Sequence, residues 1–366
     1  MSGLRITYSL ADQSFAKTKS IGIFNLSLGL ARELQTRREI ERLDVLTNST
    51  LIDQIPTAAS TGIYNSDTAL KGQIGRIKWD QWDVYSAAHR RRNPWLFLPK
   101  GFASFLRRPP VKLATYVHDT IHDFYRSNHS TAVARIENRY FDYSLRSTMQ
   151  LSDAIFTNSD FTRREILRIA EQNGVEPPNP IHAGIGFEDN GLPPAREKAG
   201  LVVLAGRFPH KLTGQMIDWL NRWQRNTAFS ENVEWIGSLP ADSTFPDHSN
   251  WRLNPRLSES EYRDKIREAR ALLFASEYEG FGMPPIEAAI AGTAPVYSKI
   301  PATSEVMGTA GFSFDNKDYE SFNAALSPAL QTTAAEIADW KRELLARHNW
   351  KSVGDRILSG LKKNGG

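Results

Sequence analysis

The sequence predicts an α/β protein built as two doubly wound, Rossmann-like domains facing a central cleft. Short apolar runs of β type alternate with longer helical patterns, the order that βα units of a parallel sheet require. The alternation stops once, at the polar, aperiodic stretch 188–200 with Pro193-Pro194, and then restarts, as an interdomain linker would make it do. A length of 366 residues suits two such domains.

In the first half Leu4–Leu10 reads as a strand, 11–20 as a polar loop, and Gly22 to Arg37 as a helix carrying Phe24, Leu26, Leu28, Leu30 and Leu34. Further strands are expected at Leu43–Thr47, Arg76–Trp79, Leu113–His118 and Ala154–Asn158. After the linker, Leu201–Ala205, Val233–Ile236, Ala271–Phe274 and Ala294–Tyr297 read as strands. Gly214–Arg225, Ser258–Arg267, Pro285–Ala291, Tyr319–Leu330 and Ala334–Arg347 read as helices. The expected domains are 1–190 and 191–345, with 346–366 a C-terminal helix packing back on the first.

Composition narrows the function classes. The chain has no cysteine, which removes disulfides, thiolate metal sites and cysteine nucleophiles. Met1 to Tyr8 lacks the layout of a signal peptide, and no window approaches ~18 uninterrupted apolar residues. A cytoplasmic protein is expected, held at most peripherally on the inner face of the plasma membrane. The net charge of +4 suits nucleic acid, anionic lipid or a diphosphate ligand equally.

The most informative stretch is Ser276-Glu277-Tyr278-Glu279-Gly280-Phe281-Gly282-Met283-Pro284-Pro285-Ile286-Glu287-Ala288. A buried strand ends near Ser276, and two glycines then allow a backbone to approach a ligand closely. Prolines open a helix whose N-terminus offers unpaired N–H groups to an anion, with Glu287 expected in its first turn. The run resembles the S-x-x-E-G-F-G-x-P-x-x-E-A signature of the retaining glycosyltransferase family 4 of the GT-B fold. The resemblance implies that Glu279 contacts the hydroxyls of a donor sugar and Glu287 the ribose of its nucleotide. Phe281, Gly282, Met283 and Pro284 would form the loop against sugar and diphosphate; the first three offer backbone N–H groups and Pro284 has none.

A second loop, Gly206-Arg207-Phe208-Pro209-His210-Lys211, follows the strand Leu201–Ala205 and is similar to the family's G-R-x-x-P-x-K-G loop. Arg207 and Lys211 thereby inherit the diphosphate, where fixed cations stabilise charge building on the leaving group. The loop is one residue short, and Leu212 stands where glycine is common. No Asp-x-Asp occurs, so no metal and no cofactor is expected beside the donor.

In the first half, Tyr116-Val117-His118-Asp119-Thr120 is similar to the family's T-x-H-D segment. The resemblance puts His118 on the donor sugar, with Asp119 orienting the loop or near the acceptor. Gly22, in Lys17-Thr18-Lys19-Ser20-Ile21-Gly22-Ile23, resembles the glycine of a loop closing on the diphosphate; Ser20 as a helix cap is the plainer reading. Segments 152–159 and 298–315, with Glu305, extend the resemblance.

The basic, aromatic stretch 90–108 has two readings. It is an inner-leaflet contact near a lipid-linked acceptor, or its aromatics are core and its arginines a solvated rim. No nucleic-acid motif accompanies the charge.

The resemblance implies a hexosyltransferase moving sugar with retention from a nucleoside-diphosphate sugar to a saccharide or lipid-linked saccharide acceptor. GDP-mannose is favoured and a UDP-sugar is the alternative, with bacterial surface polysaccharide or lipopolysaccharide assembly as the setting. The first domain would hold the acceptor and the second the donor. A sugar-nucleotide epimerase, a phosphorylase and a non-catalytic partner of a synthase complex are the competing readings.

Overall fold

The computed structural model describes residues 3–13, 21–55, 57–67, 72–129, 135–189, 191, 195, 197–241 and 243–365. It divides into two compact units. The first comprises Met1–Arg126, Val133–Phe187 and His348–Gly366; the second comprises Ser127–Ala132 and Glu188–Arg347.

Among the described residues the first unit carries seven parallel strands: β1 (Leu4–Ser9), β2 (Ile40–Thr47), β3 (Thr61–Asn65), β4 (Trp95–Leu98), β5 (Lys112–Val117), β6 (Ala154–Thr157) and β7 (Ile181–His182). Their spatial order is β3-β2-β1-β4-β5-β6-β7. The helices are α1 (Ile21–Gln35), α2 (Gly72–Lys78), α3 (Val84–Arg91), α4 (Ile121–Asn128), α5 (Arg135–Leu151) and α6 (Asp160–Gln172). Ser159 starts α6 by accepting the Thr162 N–H, satisfying one of the donors a helix start leaves unpaired.

One expectation fails here. Residues 76–79 are helical: α2 runs through a π-helical turn, Trp79–Asp83, into α3. This buries Trp79, while the strand beside β2 is the partly exposed edge segment Thr61–Asn65. The aromatic stretch 90–108, open between a membrane contact and a core with a solvated rim, divides between buried and exposed residues. Trp95 and Phe97 sit in β4, fully inside the sheet. Phe105 and Leu106 remain exposed at 37% and 53%.

Among the described residues the second unit holds a six-stranded parallel sheet: β8 (Leu201–Ala205), β9 (Val233–Gly237), β10 (Trp251–Asn254), β11 (Ala271–Phe274), β12 (Ala294–Ser298) and β13 (Phe312–Phe314). Its order is β10-β9-β8-β11-β12-β13. Helices α7 (Thr213–Thr227), α8 (Glu259–Glu268), α9 (Met283–Ile290), α10 (Pro301–Met307), α11 (Tyr319–Ala329) and α12 (Ala334–Arg347) accompany it. Trp235, Phe314 and Phe322 centre its core.

The chain ends in α13 (Trp350–Lys363), which belongs to the first unit and packs on α1. Trp350 lies so close to Gly29 and Gly186 that a Cβ at either would overlap its ring. Arg37 ties α13 down through Asp355, at 2.6 Å, and the Lys351 carbonyl, at 2.5 Å. In each sheet the strand order reverses direction beside the first strand, between β1 and β4 and between β8 and β11. Ligands of such sheets bind at that switch point, outside the carboxyl ends of the strands. Among the described residues no helix is long and apolar enough to cross a membrane.

Candidate functional site

At the switch point of the second sheet two loops meet, 206–212 after β8 and 275–282 after β11, joined by the Glu277 N–H donating to the His210 carbonyl at 2.7 Å. The second loop starts from a fixed base. The Ser276 N–H donates to Ser298 Oγ (2.8 Å), Ser298 Oγ donates to Asn316 Oδ1 (2.6 Å), and Asn316 Nδ2 returns to the Ser276 carbonyl (2.9 Å). These contacts clamp it to the ends of β12 and β13. Its far end turns on Gly282, at φ +87°, where a Cβ would come within 2.8 Å of Thr303 Cγ2. Only glycine fits there without strain.

The helix that follows begins earlier than the sequence suggested. It starts at Met283, so Glu287 is its fifth residue and lies in the second turn, about 6 Å along the axis from the start. Pairing with the helix dipole therefore does not explain Glu287, since that effect fades beyond the first turn. Of the first three helical residues only Met283 has an N–H, Pro284 and Pro285 having none. Phe281 is buried, and Met283 and Pro284 are partly exposed beside it.

Glu279 and Lys211, assigned to different loops, are brought together: Lys211 Nζ lies 2.5 Å from Glu279 Oε1, with 28% and 18% of the side chains exposed. Gly206 makes room for this, because a Cβ there would stand 2.6 Å from Lys211 Cγ. Arg207 is exposed, its guanidinium 5.0 Å from the Phe208 ring centre. Glu287 is partly buried, and desolvation raises its pKa against the opposing hydrogen bond from Tyr262 Oη at 3.4 Å.

Two histidines of this unit gave no signal in the sequence. His210 is 4% exposed, and burial, helped by the Lys211 charge, lowers its pKa to about 4. His129 Nε2 stands 2.7 Å from Glu277 Oε2. It lies in the short segment grouped with the second unit, 148 residues away in sequence, so no local pattern could have announced it.

In the first unit His118 follows β5, buried, its Nε2 2.6 Å from the Pro99 carbonyl. Burial lowers its pKa to about 4. Nε2 therefore carries the proton and Nδ1 is the acceptor nitrogen. Asp119 Oδ1 accepts the Ile121 N–H at 3.1 Å, at the start of α4. Gly22 is the second residue of α1 rather than part of a loop, and 14–20, with Ser20, lie outside the described residues. At the β1/β4 switch point stands a cluster the sequence did not reveal. Lys100 Nζ contacts Asp12 Oδ2 and lies 3.9 Å from Asp80 Oδ2. Burial pushes Asp80 up to about 7 and Lys100 down to about 8.

Comparison with known proteins bears on what this geometry serves. Residues 250–343, which hold Glu279, Glu287 and Tyr262, match the family model described as glycosyl transferases group 1. Over 93% of its length the chain is 24% identical to O-antigen chain mannosyltransferase B of Escherichia coli, covering 96% of that protein. The chain is a glycosyltransferase of the GT-B fold. The fold of the transferase is similar to that of Anabaena HepE, solved in complex with UDP and glucose, at TM-score 0.66 and 14% identity over 98% of this chain and 99% of that one. It is equally similar to sucrose-phosphate synthase of Thermosynechococcus elongatus, at TM-score 0.66 and 14% identity over 98% of each chain.

Proposed function

We propose that the transferase moves a hexose, mannose favoured, with retention from a nucleoside-diphosphate sugar to a saccharide or lipid-linked saccharide acceptor. The setting is assembly of bacterial surface polysaccharide or lipopolysaccharide. The observation that carries the reading is the joining of Lys211 and Glu279 at the switch point, with Glu287 on the helix behind them. Likeness to a mannosyltransferase of O-antigen chains supports the sugar and the setting, and GDP-mannose is the donor it favours. The structural relative holding UDP and glucose keeps a UDP-sugar as the alternative.

In this reading Glu279 accepts hydrogen bonds from the sugar hydroxyls and Glu287 from the ribose. Glu287, already partly desolvated, gains two hydroxyl donors and loses little by leaving the long Tyr262 bond. Arg207, Lys211 and the N–H groups of Phe281, Gly282 and Met283 receive the diphosphate, beside Pro284. Lys211 shares its charge between the phosphate and Glu279, and no metal is needed. The C1–O bond to the diphosphate breaks as the acceptor oxygen bonds C1 on the same face. The departing phosphate oxygen takes the acceptor proton, leaving nucleoside diphosphate and glycoside. Neutral His118 would hydrogen-bond the transferred sugar, with Asp119 fixing its loop. A peripheral contact with the inner face of the plasma membrane narrows to exposed Phe105 and Leu106, with Arg107 and Arg108 beside them.

Thermal-shift screening with GDP, UDP, TDP and their sugars tests the donor site, since a ligand that binds the native state raises its melting temperature. A selective rise with one nucleotide, lost in Glu287→Gln, is expected. Glu279→Gln should keep nucleotide binding and lose transfer. No shift with any of them would sink the proposal.

A further inference from the structure

At the opposite edge of the first sheet from Lys100 and His118, the strands' amino-terminal ends border a cavity of about 420 Å³. Arg5 and Arg42 line it from β1 and β2, and Arg90 and Arg91 from the end of α3. Arg5 and Arg42 are paired directly across the two strands, so both face the same side of the sheet. Like charges placed this way destabilise a sheet unless something neutralises them.

The described residues supply too little negative charge around the cavity to neutralise all four arginines. Asp44 is 3% exposed, and both of its oxygens are taken, Oδ1 by Arg42 Nε at 2.7 Å and Oδ2 by Asn93 Nδ2 at 3.0 Å. Among the described residues only Glu41 then remains in the lining against Arg5, Arg90 and Arg91. Among the described residues none of these three arginines has an ion pair. Arg91 is nonetheless held in place: its guanidinium lies 3.9 Å from the centre of the Tyr64 ring, whose hydroxyl accepts from Arg42 Nη2 at 3.0 Å. Its Nε is buried without a partner. Gly62 keeps the floor open, since a Cβ there would stand 2.5 Å from Asp44 Oδ1 and 2.8 Å from Arg42 Nη2.

We propose that this cavity is a second anion site, separate from the donor loops, that takes a phosphate group. A fixed planar guanidinium flanked by two unpaired ones matches the oxygens of a phosphate. The phosphate arrives either on a soluble molecule or on the headgroup of an anionic phospholipid.

The test uses the full chain, with inorganic pyrophosphate titrated calorimetrically in the presence of saturating GDP or UDP, and again without nucleotide. One pyrophosphate site is expected to persist beside the nucleotide. The double variant Arg5→Ala/Arg90→Ala should weaken it by about tenfold or more, given what charge-assisted hydrogen bonds contribute, while nucleotide affinity stays at the wild-type value. Arg91→Lys, which keeps the charge but not the fork, should weaken it as well. In parallel, co-sedimentation with phosphatidylcholine vesicles containing phosphatidylglycerol separates the sources. Vesicle binding that depends on Arg5 and Arg90 assigns the site to a headgroup, and pyrophosphate binding without it assigns a soluble phosphate. Wild-type pyrophosphate affinity in the double variant, or failure of the wild type to bind either probe, overturns the site. The titration without nucleotide distinguishes these outcomes even where the donor assignment fails.

Discussion

Gly282→Ala isolates the turn that aims the Glu279–Pro284 loop. The new side chain meets two penalties. At φ +87° a non-glycine residue sits in the left-handed region, at about 1–2 kcal/mol. Its Cβ would also stand 2.8 Å from Thr303 Cγ2, and Thr303 cannot swing away freely. Its hydroxyl donates to the Ser298 carbonyl at 2.6 Å and reaches the Ile300 carbonyl at 3.1 Å. Together these should lower stability by roughly 2 kcal/mol, a fall in melting temperature of about 4–8 °C for a unit of this size. Differential scanning calorimetry reads it, with a nucleotide titration beside it to show weakened binding. Thr303→Ser keeps the hydroxyl and removes the methyl group, so Gly282→Ala/Thr303→Ser should regain only the steric share. Unchanged melting in Gly282→Ala, or full recovery in the double variant, would refute the claim that backbone conformation demands glycine here.

The two buried histidines set an acid limit. Both have folded pKa values near 4 against an ordinary 6.5, so between those values the unfolded chain binds protons that the native state refuses. Their contribution is complete above about pH 6.5 and declines as pH falls, by as much as about 3 kcal/mol per imidazole at pH 4. Urea midpoints measured from pH 7 to 4.5 should fall less steeply in His118→Gln and His210→Gln than in the wild type; parallel curves would refute this. Lys211→Met and Glu279→Gln should be non-additive in a double-mutant cycle, with a coupling of about 1–2 kcal/mol from a partly buried pair at 2.5 Å; additive losses would show the pair idle. Gly29→Ala should destabilise the first unit by about 1–3 kcal/mol, although alanine is the better helix former, because the methyl group displaces Trp350. A more stable Gly29→Ala protein would contradict that packing.

The strands that lead into loops 206–212 and 275–282, β8 and β11, and their neighbour β12 were legible because they are largely buried and read as apolar runs. Edge strands lack that signature: β3 is partly exposed throughout, and in β10 only Trp251 is buried. The residues of the Glu279–Glu287 motif are visible as a local run, yet the helix starts one residue before the prolines that mark it. Pro284 and Pro285 read as its opening, although a proline in the first turn follows the true start as readily as it makes it. What stayed hidden was contact over distance. Lys100 meets Asp12 across 88 residues and His129 meets Glu277 across 148, joined by sheet topology and by chain grouping that no spacing rule encodes.

Leu212 shows how loop 206–212 accommodates a residue its turn does not favour. The sequence puts leucine where related loops use glycine, and the backbone there has φ +52° and ψ +24°, the left-handed conformation glycine adopts freely. The turn therefore holds a residue unsuited to it, at about 1–2 kcal/mol of local strain. Two contacts offset it. The Leu212 side chain packs against the core of the second unit, and its carbonyl accepts the Met216 N–H at 2.9 Å in the first turn of α7. Because α7 begins immediately after this turn, the residue before it cannot drift. That residue is Lys211, and it lands on Glu279 despite a loop one residue short. The strain at Leu212 and the placement of the cation are thus one feature: the left-handed turn is what lets a shortened loop still bring its lysine to the glutamate.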